Sequence, residues 1–253
     1  YFWHFLKVVH YDIHEIRTMW IKLRKLKMNY NIKEIYISDL KVYIFYINIK
    51  SFKLDEILWL PLDKVKKMSS YIFNNDKKRM IGGIMTYLYG IYSIVHNKDI
   101  KNFLRDLHYR LNWNYNIYGK PYFSGDIFFN ISHSGYFALC AFSRSEVGVD
   151  IEIINPKNIE IAYTFFSKEE AMELMKIERN LRAVQFTEIW VRKESFIKAV
   201  GAGMNIDLAG FSFESKSDML WNVIHKINRF SYYIKDINTF AEGYRAAVCC
   251  KVN

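Results

Sequence analysis

Three short apolar segments follow one another closely between residues 128 and 153, and they constrain the fold more than any other feature of the chain. They cover residues 128–131, 137–142 and 147–153. Phe, Ile, Val and Ala dominate them, a composition typical of buried strands. The links between them are short, so the segments are expected to be neighbouring strands, which places a histidine on one strand near a pair of carboxylates on another. The first link, Ser-His-Ser-Gly at 132–135, is predicted to be a turn.

Two carboxylates stand on the third of these segments. Asp150 and Glu152 are two residues apart, so on a strand both side chains point to the same face. Adjacent carboxylates raise each other's pKa unless a cation neutralises them, and an oxygen-only ligand set selects Mg²⁺ or Mn²⁺. Such a pair is also common on a solvated strand edge, and taken alone it favours that simpler interpretation.

A predicted helix near residues 186–200 contributes a second pair of charges. Glu194 and Lys198 are four residues apart and therefore face the same way. One interpretation is an ordinary surface ion pair. In the functional interpretation, Glu194 is a third metal ligand or a base that takes a proton from a hydroxyl, and Lys198 binds a phosphate or stabilises a leaving group.

Donors for a phosphate occur in the predicted turn and in the first half of the chain. Ser132 and His133 offer a hydroxyl and an imidazole. Neighbouring residues on an extended chain point apart, and no Gly-x-Ser-x-Gly segment surrounds them, so a serine nucleophile is not expected. Lys64 and Lys67 share one face of a predicted helix, and Arg79 lies on the next helix. Each of these cations, on its own, is more typical of a solvated surface.

The remaining pattern indicates two similar α+β halves with a cleft between them. A strand, a capped helix and a second helix occur in each half, which amounts to a faint internal repeat. The other predicted strands cover residues 41–49, 211–213, 220–224, 232–237 and 244–250, and the other predicted helices begin near residues 62, 76, 99 and 167.

The positive charge of the chain is concentrated in its first half. Residues 1–120 carry 21 Lys and Arg against 10 Asp and Glu, whereas the later residues are nearly neutral. A basic half attracts phosphates, acidic proteins or nucleic acid, and a Lys-rich surface without a role explains the charge equally well. A nucleic-acid module would interleave aromatic and basic residues on one surface. Here the aromatic residues fall mostly in predicted cores, so no nucleic-acid partner is expected.

Cysteine use and hydropathy bear on the compartment. Cys140, Cys249 and Cys250 lack metal-ligand spacing and do not suggest a disulfide framework, which fits a reducing compartment. The longest uncharged run, from Met80 to Val95, is shorter than the ~18 to 20 apolar residues of a membrane span. No secretory leader is predicted. A cytoplasmic protein without a membrane partner is the expectation.

In this order and at this spacing, the motifs resemble those of the 4′-phosphopantetheinyl transferases of the long, surfactin-synthetase-activating type. The resemblance covers about residues 40 to 250 and rests on four motifs: Asn130-Ile131-Ser132-His133-Ser134-Gly135, Gly148-Val149-Asp150-Ile151-Glu152, Phe165-Phe166-Ser167-Lys168 and Trp190-x-x-Lys193-Glu194-Ser195-Phe196-x-Lys198. It implies an α+β pseudo-dimer of two similar halves. Each half would be a small antiparallel sheet packed with helices, with coenzyme A in the cleft between them.

The resemblance also implies an activity, that of a holo-carrier-protein synthase acting as a monomer. Such an enzyme moves the 4′-phosphopantetheine arm from coenzyme A to a serine of an apo acyl or peptidyl carrier protein, with Mg²⁺, and releases adenosine 3′,5′-bisphosphate. By position, Asp150, Glu152 and Glu194 would hold the metal, and Glu194 and Lys198 would be catalytic. The coenzyme A ligands would be Lys64, Lys67, Arg79, Lys120, Ser132 and His133.

Three segments are expected along the chain, and the first has no counterpart in the resemblance. They are an N-terminal extension of unknown role at 1–38, a nucleotide-binding half at 39–143, and a metal-binding and catalytic half at 144–253. Met80 stands where family members can place a threonine that contacts the nucleotide, and the loop at 201–203 lacks a lysine that is frequent there. Two other functions stay open: a different Mg²⁺-dependent phosphodiester or nucleotide enzyme, and a basic nucleic-acid-binding module.

Overall fold

Eleven strands and five α-helices make up the part of the chain that the computed structural model describes, residues 31–50, 62–95, 113–123, 125–217, 219–225, 231–237 and 241–252. The strands are β1 (Asn31–Ile37), β2 (Leu40–Asn48), β3 (Asn114–Tyr115), β4 (Pro121–Tyr122), β5 (Phe128–Ser134), β6 (Phe137–Ser143), β7 (Val147–Ile153), β8 (Phe211–Ser217), β9 (Leu220–His225), β10 (Ser231–Asp236) and β11 (Tyr244–Val252). The helices are α1 (Leu62–Ser69), α2 (Asn74–Val95), α3 (Ala162–Phe165), α4 (Lys168–Lys176) and α5 (Arg182–Val200). The predicted helix at 99–112 and residues 1–30 of the predicted extension lie outside the described residues.

Two antiparallel sheets divide the chain. The first has the strand order β1-β2-β6-β5 and the second β7-β11-β10-β9-β8, while β3 and β4 form a separate hairpin. The break between the two sheets falls between Ser143 and Val147. These small antiparallel sheets packed with helices confirm the predicted α+β class. No helix within the described ranges is both long and apolar enough to cross a bilayer.

The sheets and helices stack because central strands such as β6 bury both of their faces. On β6, Ala138, Cys140 and Phe142 contact the core beneath α2, whereas Leu139 and Ala141 contact the core shared with the second sheet. This is the two-residue period of a strand between two apolar layers. The far face of the second sheet packs against α5. The order of layers is therefore α2, first sheet, second sheet, α5.

Strand β1 belongs to the first sheet, although the sequence placed its residues in the extension at 1–38. It pairs with β2 along its whole length, from Asn31 to Ile37. Ile35 and Ile37 are buried in the core between the sheets. Two buried positions are too few to reveal a strand period in the sequence. Seven residues of the predicted extension are thus part of the folded protein.

Ser132, His133 and Ser134 lie within β5, which corrects the prediction that they form a turn. The strand continues to Ser134, and the chain turns at Gly135, whose φ is +53°. A Cβ at Gly135 would lie 2.2 Å from the Tyr244 hydroxyl, so the turn also requires glycine for space. Because the three residues alternate on a strand, the two serines share one face and the histidine occupies the other.

Helix α5 lies directly on the backbone of β7 at Gly148. A Cβ there would be 2.1 Å from the carbonyl oxygen of Ser195 and 2.2 Å from the amide nitrogen of Ala199. Only glycine allows a helix to approach a strand this closely. The contact brings Lys198 of the helix over Asp150 of the strand, where the two form an ion pair.

We expect Gly148→Ala to lower the free energy of unfolding by at least about 2 kcal/mol, because the added methyl group meets backbone atoms that cannot rotate away. Equilibrium unfolding in urea measures the change. Gly210→Ala is the matched control, since its Cβ would contact only Asp207 atoms at 3.5–3.7 Å. The control should stay within about 0.5 kcal/mol of the wild type. Equal effects of the two substitutions would contradict the close helix-to-strand contact.

Candidate active site

The candidate site lies where edge strand β5 of the first sheet meets edge strand β7 of the second. On this edge of β7, backbone N–H groups donate hydrogen bonds to side-chain oxygens of β5. The acceptors are every second residue of β5. The bonds run from Val149 to Asn130 Oδ1 at 2.9 Å, from Ile151 to Ser132 Oγ at 3.4 Å and from Ile153 to Ser134 Oγ at 3.2 Å. Polar side chains therefore satisfy an edge that would otherwise need a strand partner. We call this set of contacts the β5–β7 junction.

The serine hydroxyls of the junction also donate to the two carboxylates of β7. Ser132 Oγ lies 2.8 Å from Asp150 Oδ1, and Ser134 Oγ lies 2.7 Å from Glu152 Oε2. Each hydroxyl uses its proton for a carboxylate and a lone pair for a backbone N–H. The two serines hold the carboxylates in position, and this arrangement does not suit a nucleophile.

Lys198 reaches the same point from α5. Its Nζ lies 2.5 Å from Asp150 Oδ1 and 3.1 Å from Ser132 Oγ. The Asp150 side chain is almost completely buried, and Lys198 keeps 29% of its side-chain surface exposed. Burial lowers the pKa of Lys198, but the surrounding carboxylates, Asp150 foremost, outweigh burial and raise the pKa overall. The ammonium of Lys198 is thus bound to the strand, in contrast to the ion pair with Glu194 that the helical spacing allowed.

Two carboxyl groups of the site, those of Glu152 and Glu194, have raised pKa values. Burial, followed by the charge of Asp150, raises the pKa of Glu152 to about 7. Burial and Asp150 also raise the pKa of Glu194, against the opposing charge of Lys198. One oxygen of Asp150, Oδ2, is buried without a hydrogen-bond partner. The site therefore concentrates more negative charge than its neighbours neutralise.

This donor set fits a divalent cation. Mutual repulsion of carboxylates and a buried oxygen without a partner are both relieved by a small ion of high charge. In the described part of the chain, no three His, Cys, Asp or Glu side chains are already gathered at metal-ligand positions. The positive charge beside Asp150 comes from Lys198. The residues supply the chemistry of a Mg²⁺ site without a preformed cage of ligands.

A cavity of ≈250 Å³ opens beside Glu194 and Lys198. Its walls come from both halves of the chain: residues 118–121 and Asn130 from the first, and Glu194, Lys198 and Gly201 from the second. The charged residues Glu194 and Lys198 therefore face a space between the two halves. A ligand cleft between the halves is what the sequence predicts.

Lys120 lies in the wall of this cavity, and its ammonium is engaged by the protein. The Nζ donates to the carbonyl of Ala199 at 2.8 Å and to that of Val147 at 3.1 Å. Burial lowers the pKa of Lys120 to about 8.

Arg79 and His133 lie on the side of β5 that faces α2, opposite the serines. Arg79 forms an ion pair with Asp76 and donates to the carbonyl of Gly135 at 3.3 Å. The pKa of His133 is lowered, first by burial and then by the positive charges of Lys198 and Arg79. These residues place positive charge and a donor next to the junction.

Lys64 is buried, although the sequence treated it as a solvated cation or a phosphate ligand. Its Nζ donates to the Tyr115 hydroxyl at 2.9 Å and lies 4.3 Å from the centre of the Trp113 ring. Lys67, one turn later on α1, is exposed. The two lysines therefore meet different surroundings despite sharing a helical face.

The roles of Asn130 and Ser134 were not predicted from the sequence. The available signal was a polar residue at every second position, 130, 132 and 134, in an otherwise apolar strand. That period indicates a strand face with polar partners, but it was hidden by the turn-like composition of Ser-His-Ser-Gly.

Comparison with known proteins confirms the resemblance to the 4′-phosphopantetheinyl transferases. Residues 146–249 match the family model of the 4′-phosphopantetheinyl transferase superfamily. The chain is 39% identical over 134 residues to the 4′-phosphopantetheinyl transferase gsp of Aneurinibacillus migulanus, covering 53% of this chain and 56% of that protein. It is 38% identical over 134 residues to the 4′-phosphopantetheinyl transferase Sfp of Bacillus subtilis (strain 168), covering 52% and 59%. The chain thus spans a little over half the length of these relatives.

In the absence of a divalent cation, the folded protein should lose stability as the pH rises from about 4.5 to about 7. Glu152 has a pKa of about 7 in the folded protein against an ordinary value of 4.5, so the folded state keeps a proton that the unfolded chain releases in this window. The free energy of unfolding should fall by on the order of 1 to 3 kcal/mol. Urea unfolding at several pH values with a chelator present measures it.

Glu152→Gln cannot ionise and should remove most of this pH dependence. Glu173→Gln is the control, because Glu173 is exposed on α4 and pairs only with Lys176 among the described ion pairs. The control should keep the slope of the wild type. A slope as steep in Glu152→Gln as in the wild type would show that Glu152 is not the group responsible, whereas a small remaining slope is expected from Glu194, whose pKa is also raised.

Proposed function

We propose that the protein transfers the 4′-phosphopantetheine arm of coenzyme A to a serine hydroxyl of an apo carrier protein. The observation that supports this most strongly is the convergence of Asp150, Glu152 and Lys198 at the β5–β7 junction, with Glu194 in the wall of the adjoining cavity. The relatives named above are called 4′-phosphopantetheinyl transferases. Extending their activity to this chain is our proposal.

The pyrophosphate of coenzyme A would bind where positive charge meets the cavity. Phosphoryl transfer depends mainly on positioning and on neutralising the charge of the phosphates. Lys198 would contact the phosphate that leaves with the nucleotide and stabilise the charge that develops on it. His133 and Arg79, on the α2 side of β5, would hold the nucleotide end, together with the exposed Lys67 on α1, whereas the buried Lys64 would act indirectly through Tyr115 and Trp113. Ser132 would lie next to the nucleotide while it orients Asp150.

Asp150, Glu152 and Glu194 would hold Mg²⁺, or Mn²⁺ in its place. When bound, the ion neutralises the pyrophosphate and polarises it as a Lewis acid. The contribution of the protein is to hold the oxygens ready. Ser132 orients Asp150 and Ser134 orients Glu152, each through a hydrogen bond shorter than 3 Å.

Glu194 would serve as the base. Burial raises its pKa, which makes its carboxylate a better proton acceptor near neutral pH. It would take the proton of the acceptor serine, directly or through a water. The serine oxygen would then attack the β-phosphorus of coenzyme A as the bond to the bridging oxygen breaks, releasing adenosine 3′,5′-bisphosphate. Both walls of the cavity come from one chain, so the protein would act as a monomer.

Mass spectrometry of the acceptor tests the proposal. The protein is incubated with coenzyme A, Mg²⁺ and each of several apo acyl and peptidyl carrier proteins, and the carriers are weighed intact. We expect the mass of at least one carrier to rise by one phosphopantetheine group, while the mass of the enzyme itself stays unchanged. Release of the bisphosphate with no modified carrier would instead favour a hydrolytic nucleotide enzyme. Salt-sensitive binding to DNA without turnover would favour the nucleic-acid module.

Asp150→Asn should lower kcat/KM for transfer by on the order of 100-fold or more, because it removes a charge from the proposed metal and phosphate site. The substitution keeps the shape of the side chain, and circular dichroism checks that the fold is intact. Asp39→Asn, in the exposed turn between β1 and β2, is the control and should keep wild-type activity. Unchanged transfer by Asp150→Asn would remove Asp150 from the site.

A further inference from the structure

The hairpin of β3 and β4 crosses from the first half of the chain to the end of α5, and we call residues 113–123 the strap. Asn116 orders its turn. The side-chain oxygen of Asn116 accepts the N–H groups of Tyr118 at 3.0 Å and Lys120 at 2.9 Å. The backbone N–H of Asn116 donates to the carbonyl of Lys120 at 3.0 Å. The strap therefore presents the Asn116 amide nitrogen and the Lys120 ammonium in a fixed arrangement.

Both of these groups bind the C-terminal end of α5. Asn116 Nδ2 donates to the carbonyl of Gly201 at 2.7 Å, and Lys120 Nζ donates to that of Ala199 at 2.8 Å. The last four carbonyls of a helix have no partner within the helix. A cation at this end also interacts favourably with the helix dipole. The contacts are those of a C-terminal cap supplied by a different segment of the chain.

The loop after α5 is shaped to receive the strap. Gly201 has a φ of +75°, the left-handed conformation that ends many helices. A Cβ at this position would lie 2.7 Å from Lys120 Cδ and 3.1 Å from Asn116 Nδ2. Glycine is thus required both by the backbone conformation and by the two side chains that rest on it.

The other end of the strap is attached to the first half. Lys64 of α1 bonds to the Tyr115 hydroxyl and lies over the Trp113 ring. The strap therefore joins the two halves on the same side as the cavity, whose wall includes Lys120.

We propose that the strap is the C-terminal cap of α5 and that Asn116 and Lys120 are positioning residues for the transfer reaction. Helix α5 carries Glu194 and Lys198. Lys120 also donates to the carbonyl of Val147, the first residue of β7, and β7 carries the two carboxylates of the junction. One ammonium thus fixes the end of the helix against the start of the strand. The positioning role rests on the proposed function, and it gives Lys120 a role other than that of a nucleotide ligand.

Hydrogen exchange tests the cap without any substrate. Asn116→Asp removes the nitrogen that binds Gly201 and keeps the oxygen that orders the strap, and Lys120→Met removes the ammonium and keeps most of the stem. In both variants the amides at 197–201 should exchange about tenfold faster, the equivalent of one lost hydrogen bond. Asn205→Asp is the matched control, because it loses a similar bond to the carbonyl of Ala202 within the loop itself. Unchanged exchange in both strap variants would overturn the cap.

Steady-state kinetics tests the positioning role. For Asn116→Asp and Lys120→Met we expect kcat to fall about 10- to 100-fold, because the charged groups of α5 are displaced. The KM for coenzyme A should change less than about threefold, since no direct contact to it is lost. Lys120→Arg can still bind both carbonyls and should recover most of kcat. A raised KM with unchanged kcat would identify Lys120 as a nucleotide ligand and overturn the positioning role.

The two measurements separate this inference from the proposed function. If the wild-type protein transfers nothing to any carrier, the proposed function and the positioning role both fail. The exchange measurement still decides whether the strap caps α5. Faster exchange in the strap variants with unchanged kcat would overturn the positioning role alone.

Discussion

The arrangement of the site depends on how two edge strands meet. At the β5–β7 junction, three side chains of β5 accept backbone N–H groups of β7, where a strand partner would have used carbonyl oxygens. A ladder of backbone hydrogen bonds would hold the two strands about 4.8 Å apart. The serine hydroxyls would then not be the acceptors of the β7 N–H groups. Because side chains provide the acceptors here, the hydroxyls also reach the carboxylates of β7. The contacts that join the two sheets are thus the contacts that orient the charged groups.

The charge balance of the site follows from the same geometry. Asp150 is buried, so its charge requires a partner, and Lys198 reaches it from the helix that Gly148 allows to lie against the strand. Burial first, and then the charge of Asp150, raises the pKa of Glu152 and of Glu194. A divalent cation would find carboxylates in this cluster, and a phosphate would find the ammonium of Lys198. The carboxylate of Asp150 lies on strand β7 and the ammonium of Lys198 lies on helix α5. Lys120 of the strap bonds to both of these elements.

Sequence reasoning predicted those features that depend on local periodicity. The α+β class, the antiparallel strands after residue 210 and the shared face of Asp150 and Glu152 all follow from the spacing of side chains along a strand or a helix. The helix predicted to begin near residue 167 begins at Lys168, and a capping box between Ser167 and Glu170 closes its first turn. Features that depend on a distant partner could not be predicted in this way. Ser-His-Ser-Gly has the composition of a turn, but Ser132, His133 and Ser134 form a strand because they pair with β6, and the two serines also bond to β7.

Two further differences have the same origin. Lys64 resembles any surface lysine in the sequence, and its burial depends on aromatic rings about fifty positions later, Trp113 and Tyr115. Glu194 and Lys198 have the spacing of a helical ion pair, but a strand carboxylate from another element takes the ammonium. In both cases the local pattern gave the correct secondary structure. The partner was decided by tertiary packing.

The core between the two sheets has a consequence for folding. Residues from β1, β2 and β6 and residues from β7 and β11 are buried in this single core, so each sheet covers an apolar face of the other. Neither half could leave its partner without exposing that face to water, and the resemblance between the halves therefore does not make them independent domains. Unfolding should proceed in one cooperative step. The candidate catalytic groups lie at the seam between the two halves, so separating the two sheets would also take the candidate site apart.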